Sequence, residues 1–306
     1  MQESQLARIA KIEGALKDPD AAYLIINLNK VIASQSIDGL NIQTKEIKGG
    51  IDLKIRLKEN TVIKKPLHLC FGVLEKSAIQ KILIDFKIGE NSSISVLAHC
   101  IFPEAEDVTH IMDARINIEE NAHYTYLERH IHSIYGGVKV YPKARVNLGE
   151  RARLKTDFEL LKGRVGLLEI DYEAICRKEA VLEMTAKVNG RGDDIIKISE
   201  SASLVGEGAR GVLRTRVALR DKTKAYVYNK LIATAAYARG HVDCKEIVQD
   251  EAVADAVPVV QVNHPKAHIT HEAAIGSVDS KQLQTLMSRG LSEDEATELI
   301  IQGLLG

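Results

Sequence analysis

The feature that most constrains the fold of this chain is a short unit that recurs at a nearly constant spacing from about residue 50. Each copy contains an apolar residue, several polar residues that include an acid, a small residue, and then a return to alternating apolar positions. Most steps between successive small residues are 28 to 31 positions, and the step from Ala209 to Thr223 is about half as long. The small residues are Thr61, Ser92, Ala122, Ala152, Ala180, Ala209, Thr223 and Ala252. Repeats of nearly one period predict a solenoid, in which each repeat stacks on the next.

The segments between these units indicate β-strands rather than helices. Residues 116–133, 144–160 and 180–190 alternate apolar and polar positions with period two, and they are rich in β-branched side chains. The acid-bearing unit is then a tight turn, and its small residue suits a corner where side-chain space is short. We therefore predict an all-β chain of stacked coils, with a regularly turned β-sandwich as the alternative. Because the chain has no Trp and few aromatic residues, its core must consist mainly of Val, Ile, Leu and Ala.

Helical patterns flank the predicted solenoid at both ends. Residues 4–16 form an amphipathic pattern that is stopped by Asp-Pro-Asp at 18–20. After Gly276, Asp279 and Ser292 each begin a capping-box pattern, and the glycines at 290 and 303 are typical helix ends. The predicted organisation is an N-terminal helical segment (1–20), a β-helix core (21–276) and a C-terminal segment of two short helices (277–306).

The charge balance and the cysteine pattern exclude several classes of protein. With 41 basic and 42 acidic residues, the chain has no electrostatic basis for binding nucleic acid or an anionic membrane. No stretch approaches 18 consecutive apolar residues, so no membrane span is predicted. The N-terminus lacks a signal-peptide pattern, and four widely spaced cysteines without a C-x-x-C pair are typical of a reducing cytoplasm.

Residues 268–303, HITHEAAIGSVDSKQLQTLMSRGLSEDEATELIIQG, resemble the C-terminal signature of the SufB/SufD family. The matching features are His271 with Glu272, the small-residue run ending at Gly276, the Arg-Gly pair at 289–290 and the Leu-Ser-Glu-x-Glu-Ala stretch from 291. A glutamate after the histidine is more similar to SufB than to SufD. The resemblance covers about residues 50–306, and the short N-terminal region departs from the larger bacterial members. It implies a right-handed parallel β-helix (β-solenoid) with flanking helical segments, in agreement with the repeat.

The resemblance also implies a function without enzymatic activity in this chain. Members of the family pair through their β-helices and carry a SufC ATPase on their C-terminal helices, forming a cytoplasmic scaffold on which iron–sulfur clusters are assembled. For this chain it implies a homodimer, or a heterodimer with a paralogue, that holds a transient Fe–S cluster. No Walker G-x-x-x-x-G-K-[ST] motif is found, so ATP is expected to bind to the partner. The cluster type and any flavin requirement stay open.

Three residues are the candidate cluster ligands: Cys244, His271 and Glu272. In a straight strand His271 and Glu272 point to opposite faces, so a shared site needs a neighbouring strand or a second subunit. The resemblance places this segment near the subunit interface. Thiolate is the preferred ligand of iron–sulfur clusters, and Cys244 is the only cysteine in the C-terminal third. The bacterial SufB pattern, however, has its key cysteine in the turn that corresponds to residues 250–255, where this sequence has none.

Other histidines and cysteines are interpreted as structural. His264 and His268 are expected to cap a loop at Pro265. The remaining cysteines lie inside the strand patterns and are expected in the core, as small buried residues. They are Cys70, Cys100 and Cys176.

The apolar positions of the C-terminal helices exceed what two short helices bury alone, so a partner ATPase is expected to cover them. The expected ATPase-binding residues are Leu283, Leu286, Met287, Leu291, Leu299 and Ile300. Two other functions remain as alternatives. One is a purely structural, SufD-like partner without a cluster site, which the missing turn cysteine favours. The other is a β-helix carbohydrate-active enzyme, against which the lack of Trp and the low aromatic content argue.

Overall fold

Two sheets of mainly parallel strands run along the molecule, and the chain passes from one sheet to the other at every corner. The computed structural model describes residues 2–306. Sheet A contains β1 (Tyr23–Asn27), β2 (Lys30–Gln35), β5 (Leu67–Gly72), β7 (Ser93–Phe102), β9 (His123–His132), β11 (Arg153–Lys162), β13 (Val181–Gly190), β15 (Arg210–Leu219), β17 (Arg239–Val248) and β19 (His268–Gly276). Sheet B contains β3 (Leu40–Ile47), β4 (Gly50–Leu57), β6 (Ser77–Ile88), β8 (Asp107–Ile118), β10 (Val138–Leu148), β12 (Gly166–Cys176), β14 (Ile195–Leu204), β16 (Lys224–Ala233) and β18 (Val253–Val262). The predicted β-solenoid is confirmed.

The half-length step in the repeat arises because each coil has two corners. The units up to Ala209 lie where the chain leaves sheet B for sheet A, whereas Thr223 and Ala252 lie at the opposite corner. The first series continues at Ala238, which is also buried and which the sequence pattern did not reveal. At most of these corners the small residue donates its backbone N–H to the carbonyl oxygen three residues earlier, at 3.1 Å for Ala180. Most of the small side chains are buried in the core, whereas Thr61 and Ala252 are half-buried.

Asparagines stack along the first of these corners. Asn60, Asn91 and Asn121 have left-handed backbone, with φ of 57°, 54° and 55°, a conformation that asparagine adopts more readily than most residues. The side-chain amide of Asn121 donates to Asn91 Oδ1 at 3.1 Å, and that of Asn91 donates to Asn60 Oδ1 at 3.3 Å. This ladder helps to hold successive coils in register.

The main core lies between the two sheets, where alternate side chains of each strand meet. Its residues are mostly Val, Ile, Leu and Ala, and the largest fully buried side chains are Phe71, Phe86 and Phe102. The aliphatic core expected from the aromatic-poor composition is therefore confirmed. In a parallel pair such as β6 and β8, Ser77 aligns with Asp107, and the register continues without a shift to the end of both strands.

Two short helices, rather than the single helix predicted over residues 4–16, cover the outer face of sheet A near the N-terminus. α1 (Gln2–Ala10) and α2 (Glu13–Leu16) are separated at Lys11, whose backbone is left-handed with φ of 58°. The bend lets Leu6 and Ile12 pack into the same small cluster, which also contains Cys70. Tertiary packing thus overrides the continuous helical pattern. Cys70 is buried as predicted, but beneath the helices and not between the sheets.

The two ends of the solenoid differ. At the N-terminal end the antiparallel hairpins β1–β2 and β3–β4 complete the sheets, whereas β18 and β19 are the edge strands at the C-terminal end. α3 (Ser280–Met287) and α4 (Glu293–Leu305) follow; Asp279 accepts the Gln282 N–H at 2.7 Å, and the capping box at Ser292 is formed as predicted. α4 continues past its predicted end at Gly303 because Leu305 packs on the outer face of sheet A. Within residues 2–306 no helix is long and apolar enough to cross a membrane.

Candidate functional site

The last coil of the solenoid leaves its inward-facing side uncovered. His271 and Ile275 on β19 pair with Val242 and Glu246 of the preceding coil, which are buried. Both residues of the last coil are instead exposed, and Ile275 keeps 48% of its accessible surface. An exposed edge strand with apolar side chains is a template for pairing with another chain.

Cys244 lies on β17, one coil below this open end, and it is fully buried. Its Sγ accepts a hydrogen bond from Asn229 Nδ2 at 3.3 Å, and the same amide donates to Thr215 Oγ1 at 2.7 Å. Burial raises the pKa of the Cys244 thiol to about 11, so the group is protonated near neutral pH. Binding of iron at this position therefore requires the thiol to lose its proton.

Two buried carboxyl groups occupy the same part of the interior. Glu200 on β14 is in register with Asn229, and Glu246 lies two residues after Cys244 on β17. Glu246 has no partner for either carboxyl oxygen among residues 2–306, and Glu200 has none for Oε2. Burial raises the pKa of Glu200 to about 8 and that of Glu246 to about 7. Carboxyl groups with such values exchange protons near neutral pH and are candidates for functional roles.

The structure places His271 and Glu272 on opposite sides of β19. His271 is on the strand next to Cys244 and two residues out of register with it. Both side chains face inward, so their Cβ atoms are roughly 8 Å apart from the strand spacing and rise. Glu272 faces outward and forms an ion pair with Lys245 at 3.3 Å. One chain therefore brings Cys244 and His271 to the same face, and Glu272 lies on the other.

The remaining histidines of this segment have separate surroundings. His264 Nδ1 accepts the backbone N–H of Lys266 at 3.1 Å, which is the turn cap that was predicted at Pro265. His268 is exposed at the start of β19. Neither residue contributes to the candidate ligand pair.

The predicted ATPase-binding residues lie on α3, on α4 and in the turn between them. α4 is attached to sheet A through its buried residues Ile301 and Leu305 and through an ion pair between Arg191 and Glu298 at 2.7 Å. The predicted docking residues all keep solvent contact: Met287 and Leu299 are exposed, and Leu283, Leu286, Leu291 and Ile300 are half-buried. The helical pair therefore retains an open apolar surface on its solvent side.

A second polar cluster, which the sequence analysis did not predict, lies between the sheets several coils earlier. Cys100 on β7 is in register with His130 on β9, and Glu128 shares the inward face of β9. Their ligand atoms, a sulfur, a carboxylate oxygen and a ring nitrogen, lie within 4.8 Å of one another, and all three residues are buried. Cys100 is in the core, as expected, but its ionisable neighbours were not expected.

The sequence does contain a signal for this cluster. The stretch HYTYLERHIH of β9 alternates with period two, which puts Tyr126, Glu128, His130 and His132 on one face. A row of polar residues at these positions is ordinarily a solvent-facing row. Tyr124, on the same face of the strand, is buried, and it shows that this face points into the interior.

Comparison with known proteins gives a consistent result. Residues 73–304 match the family model described as SUF system FeS cluster assembly, SufBD core domain. The chain is 40% identical over 283 residues to an iron–sulfur cluster assembly SufBD family protein of Methanocaldococcus jannaschii, covering 92% of this chain and 90% of that protein. It is 38% identical over 304 residues to one of Pyrococcus horikoshii, covering 98% and 93%. A longer P. horikoshii protein of the same description is 29% identical, with 57% of its length aligned.

Proposed function

Because this chain belongs to the SufBD family of iron–sulfur cluster assembly proteins, we propose that it is a scaffold subunit of the SUF machinery on which a transient Fe–S cluster is built. The observation that carries the proposal is the uncovered last coil, which lies directly beside the buried Cys244. The four cysteines are free and buried, which fits a reducing cytoplasm. Family membership supports the scaffold role over that of a carbohydrate-active enzyme.

The proposed assembly is a homodimer, or a heterodimer with a paralogue, formed through β18 and β19. The two ends of the solenoid support this choice. The antiparallel hairpins β1–β2 and β3–β4 complete the N-terminal end, whereas the C-terminal edge strands β18 and β19 leave Val257 and Ile275 exposed. A two-fold axis across the C-terminal edges would cover the inward-facing side of both last coils.

Within such a dimer, Cys244 and His271 are the proposed cluster ligands of each chain. They share the inward face, and a second chain would supply the ligands that one chain lacks. Glu272 faces outward with Lys245 in a single chain, so its proposed role requires contact across the dimer. Glu246 is a suitable acceptor for the Cys244 proton, because burial raises its pKa to about 7 and its oxygens are unpartnered among the described residues.

The proposed site of the SufC-type ATPase is the open apolar surface of α3 and α4. Changing Leu283 and Leu286 to Asp should abolish co-purification with the ATPase while circular dichroism of the solenoid stays unchanged. Both side chains lie on α3, outside the solenoid, and keep solvent contact, so the solenoid should stay folded. The matched control is Thr285→Asp, which changes an exposed position of the same helix. Full ATPase binding by the double variant would place the partner surface elsewhere.

Anaerobic reconstitution with iron and sulfide tests the cluster site. The wild type should gain visible absorption and acid-labile sulfide, and Cys244→Ser should lose most of both, because serine replaces thiolate poorly on iron. His271→Ala and Glu272→Ala should lose less. Cys176→Ser, an equally buried thiol in the same core, is the control and should behave as wild type.

The purely structural, SufD-like role is the second candidate, and the burial of Cys244 favours it. The thiol is fully buried, hydrogen-bonded to Asn229 and protonated near neutral pH, as in a packing residue. In that role Cys244→Ser binds as much iron and sulfide as wild type and still co-purifies with the ATPase. The reconstitution experiment therefore separates the two candidates.

A further inference from the structure

The interior cluster around Cys100 has a hydrogen-bond network that fixes the proton positions on its histidines. Gln80 Nε2 donates to the carbonyl oxygens of Leu28 and Gly72, at 2.6 and 3.1 Å, which orients its Oε1 toward His110 Nδ1 at 2.8 Å. Since an amide oxygen only accepts, His110 Nδ1 holds the proton. The lone pair of His110 Nε2 therefore faces Cys100 Sγ, 3.7 Å away.

A second chain of hydrogen bonds fixes His130 in the same way. His132 Nδ1 donates to the carbonyl oxygen of Arg164 at 3.1 Å, so in the neutral ring Nε2 is an acceptor. His132 Nε2 therefore accepts a hydrogen bond from the N–H of His130 Nδ1, and the two nitrogens are 3.1 Å apart. The remaining nitrogen, His130 Nε2, faces Glu128 Oε1 at 2.8 Å.

The carboxylate is held by donors on its other side. Glu128 Oε2 accepts hydrogen bonds from the hydroxyl groups of Tyr126 and Tyr172, at 3.1 and 3.3 Å. Glu128 Oε1 is left to face the cluster, 3.8 Å from Cys100 Sγ. His110 and His130 thus each donate a hydrogen bond from Nδ1, the ring nitrogen that points away from Cys100. Outer partners of this kind orient histidines and carboxylates in metal sites.

Three separations among the four inner atoms are close to the edges of a coordination tetrahedron, and the ligand atoms of Cys100, Glu128 and His130 all lie within 4.8 Å of one another. Metal–ligand lengths of about 2.0–2.3 Å give edges of roughly 3.3–3.6 Å. The two contacts of Cys100 Sγ, 3.7 Å to His110 and 3.8 Å to Glu128, are near this range, and the 2.8 Å contact of His130 with Glu128 has only to open slightly. From this geometry we infer that Cys100, His110, Glu128 and His130 form a site for one divalent transition-metal ion of the Zn²⁺ or Fe²⁺ type.

Charge balance favours this occupant. Without a metal, the cluster holds the thiol proton of Cys100 and one proton in the hydrogen bond between His130 and Glu128. A divalent ion replaces these two protons, and it leaves a thiolate, a carboxylate and two neutral imidazoles around it. The net charge of the buried site is the same before and after, which avoids an uncompensated charge in the core.

A cleft lies on the outer side of sheet A, across the sheet from the cluster. It has a volume of about 410 Å³, lies beneath α1, and is lined by residues that include Lys11, His99, Arg129, His130 and Glu159. His99 is buried, and neither of its ring nitrogens has a partner among residues 2–306.

Titration of the metal-free full-length protein with Co²⁺ tests the inference, and it does not depend on the cluster proposed at Cys244. The wild type should bind one Co²⁺ per chain with a thiolate-to-cobalt charge-transfer band and the visible bands of a tetrahedral ion. Cys100→Ser should lose the charge-transfer band. Glu128→Gln, which keeps the shape of the side chain, should weaken binding by at least roughly 100-fold. Cys176→Ser should match the wild type.

The results that overturn the inference are equally definite. They are the absence of stoichiometric Co²⁺ binding by the wild type, or a charge-transfer band that survives in Cys100→Ser and disappears in Cys244→Ser. If Cys100→Ser does not fold, Glu128→Gln decides, and wild-type affinity in that variant refutes the site. Zn²⁺ competition should displace the bound Co²⁺ and abolish the spectrum, whereas a retained spectrum would also refute it.

Discussion

Replacing Glu200 by Gln should stabilise the protein, and the gain should grow with pH. The Glu200 side chain is fully buried, its Oε2 has no partner within the described chain, and burial raises its pKa from the usual 4.5 to about 8. In the folded protein the carboxyl group stays protonated up to about pH 8, whereas in the unfolded chain it ionises near pH 4.5. The unfolded state therefore gains stability from ionisation over this interval, and the folded state does not.

The size and sign of the effect follow from linkage. The stability linked to Glu200 is fully present below the unfolded pKa of 4.5 and is lost as the pH rises toward the folded value of about 8. At about 1.4 kcal/mol for each pH unit, the loss is on the order of 1 kcal/mol at pH 5, 3 kcal/mol at pH 7 and 5 kcal/mol above pH 8. Glutamine has no such ionisation, so Glu200→Gln should remove the pH-dependent loss.

Denaturant unfolding of both proteins from pH 5 to pH 9, followed by circular dichroism, measures the difference. The advantage of Glu200→Gln over the wild type should be small at pH 5 and should increase until about pH 8. Glu183→Gln, an exposed position on β13, is the control and should show no comparable trend. A difference that is the same at every pH would mean that Glu200 is already ionised in the folded protein, and the assignment of a neutral buried carboxyl would fail.

Three further perturbations have direct expectations. Ala180→Leu should cost about 1–3 kcal/mol by overpacking a buried corner, whereas Lys178→Leu in the same turn is exposed and should be nearly neutral in thermal unfolding. Ile301→Asp should release α4 and speed limited proteolysis of the C-terminal segment, while Leu299→Asp, on the solvent side of the helix, should not. Loading with Zn²⁺ should release about two protons per chain into a weakly buffered indicator solution, and Cys100→Ser should release fewer; equal release would contradict the proposed ligands.

The solenoid could be predicted because its turns repeat chemically as well as geometrically. The small buried residue recurs at each corner, and the alternation of β6, β8 and the later strands is regular enough to identify them as strands. The break at Lys11 and the continuation of α4 past Gly303 could not be predicted, because both depend on which side chains pack against sheet A. Local patterns contain no information about those distant contacts.

The candidate sites were predictable to different degrees for the same reason. Strand parity correctly separated His271 from Glu272, since period two is a local property. The cluster around Cys100 combines β7, β8 and β9 from both sheets, and its residues are spread over three strands. The packing of the two sheets against each other brings His110 of sheet B against Cys100 of sheet A. Spacing rules for metal ligands in one segment do not find a site of this kind.

The two interior clusters should differ in their dependence on protein concentration. In the Cys100 cluster both ring nitrogens of His110 and of His130 have a partner within the chain, and the four proposed metal ligands come from one molecule. Around Cys244 the oxygens of Glu246 lack partners in the described chain, and the adjoining last coil is open. A site that is complete in one chain binds its metal with an affinity independent of assembly, whereas a site completed by a second chain follows the dimerisation equilibrium.

Sedimentation velocity and metal binding, measured over the same dilution series, check this difference. Co²⁺ affinity at Cys100 should stay constant as dimers dissociate, and Fe–S content after reconstitution should fall in proportion to the dimer. A charged substitution at the exposed Ile275 provides the same comparison at fixed concentration: Ile275→Asp should prevent pairing and cluster formation and leave Co²⁺ binding intact. Loss of both activities in parallel would show that the clusters are not independent, because the change at the open edge would then have disturbed a site several coils away.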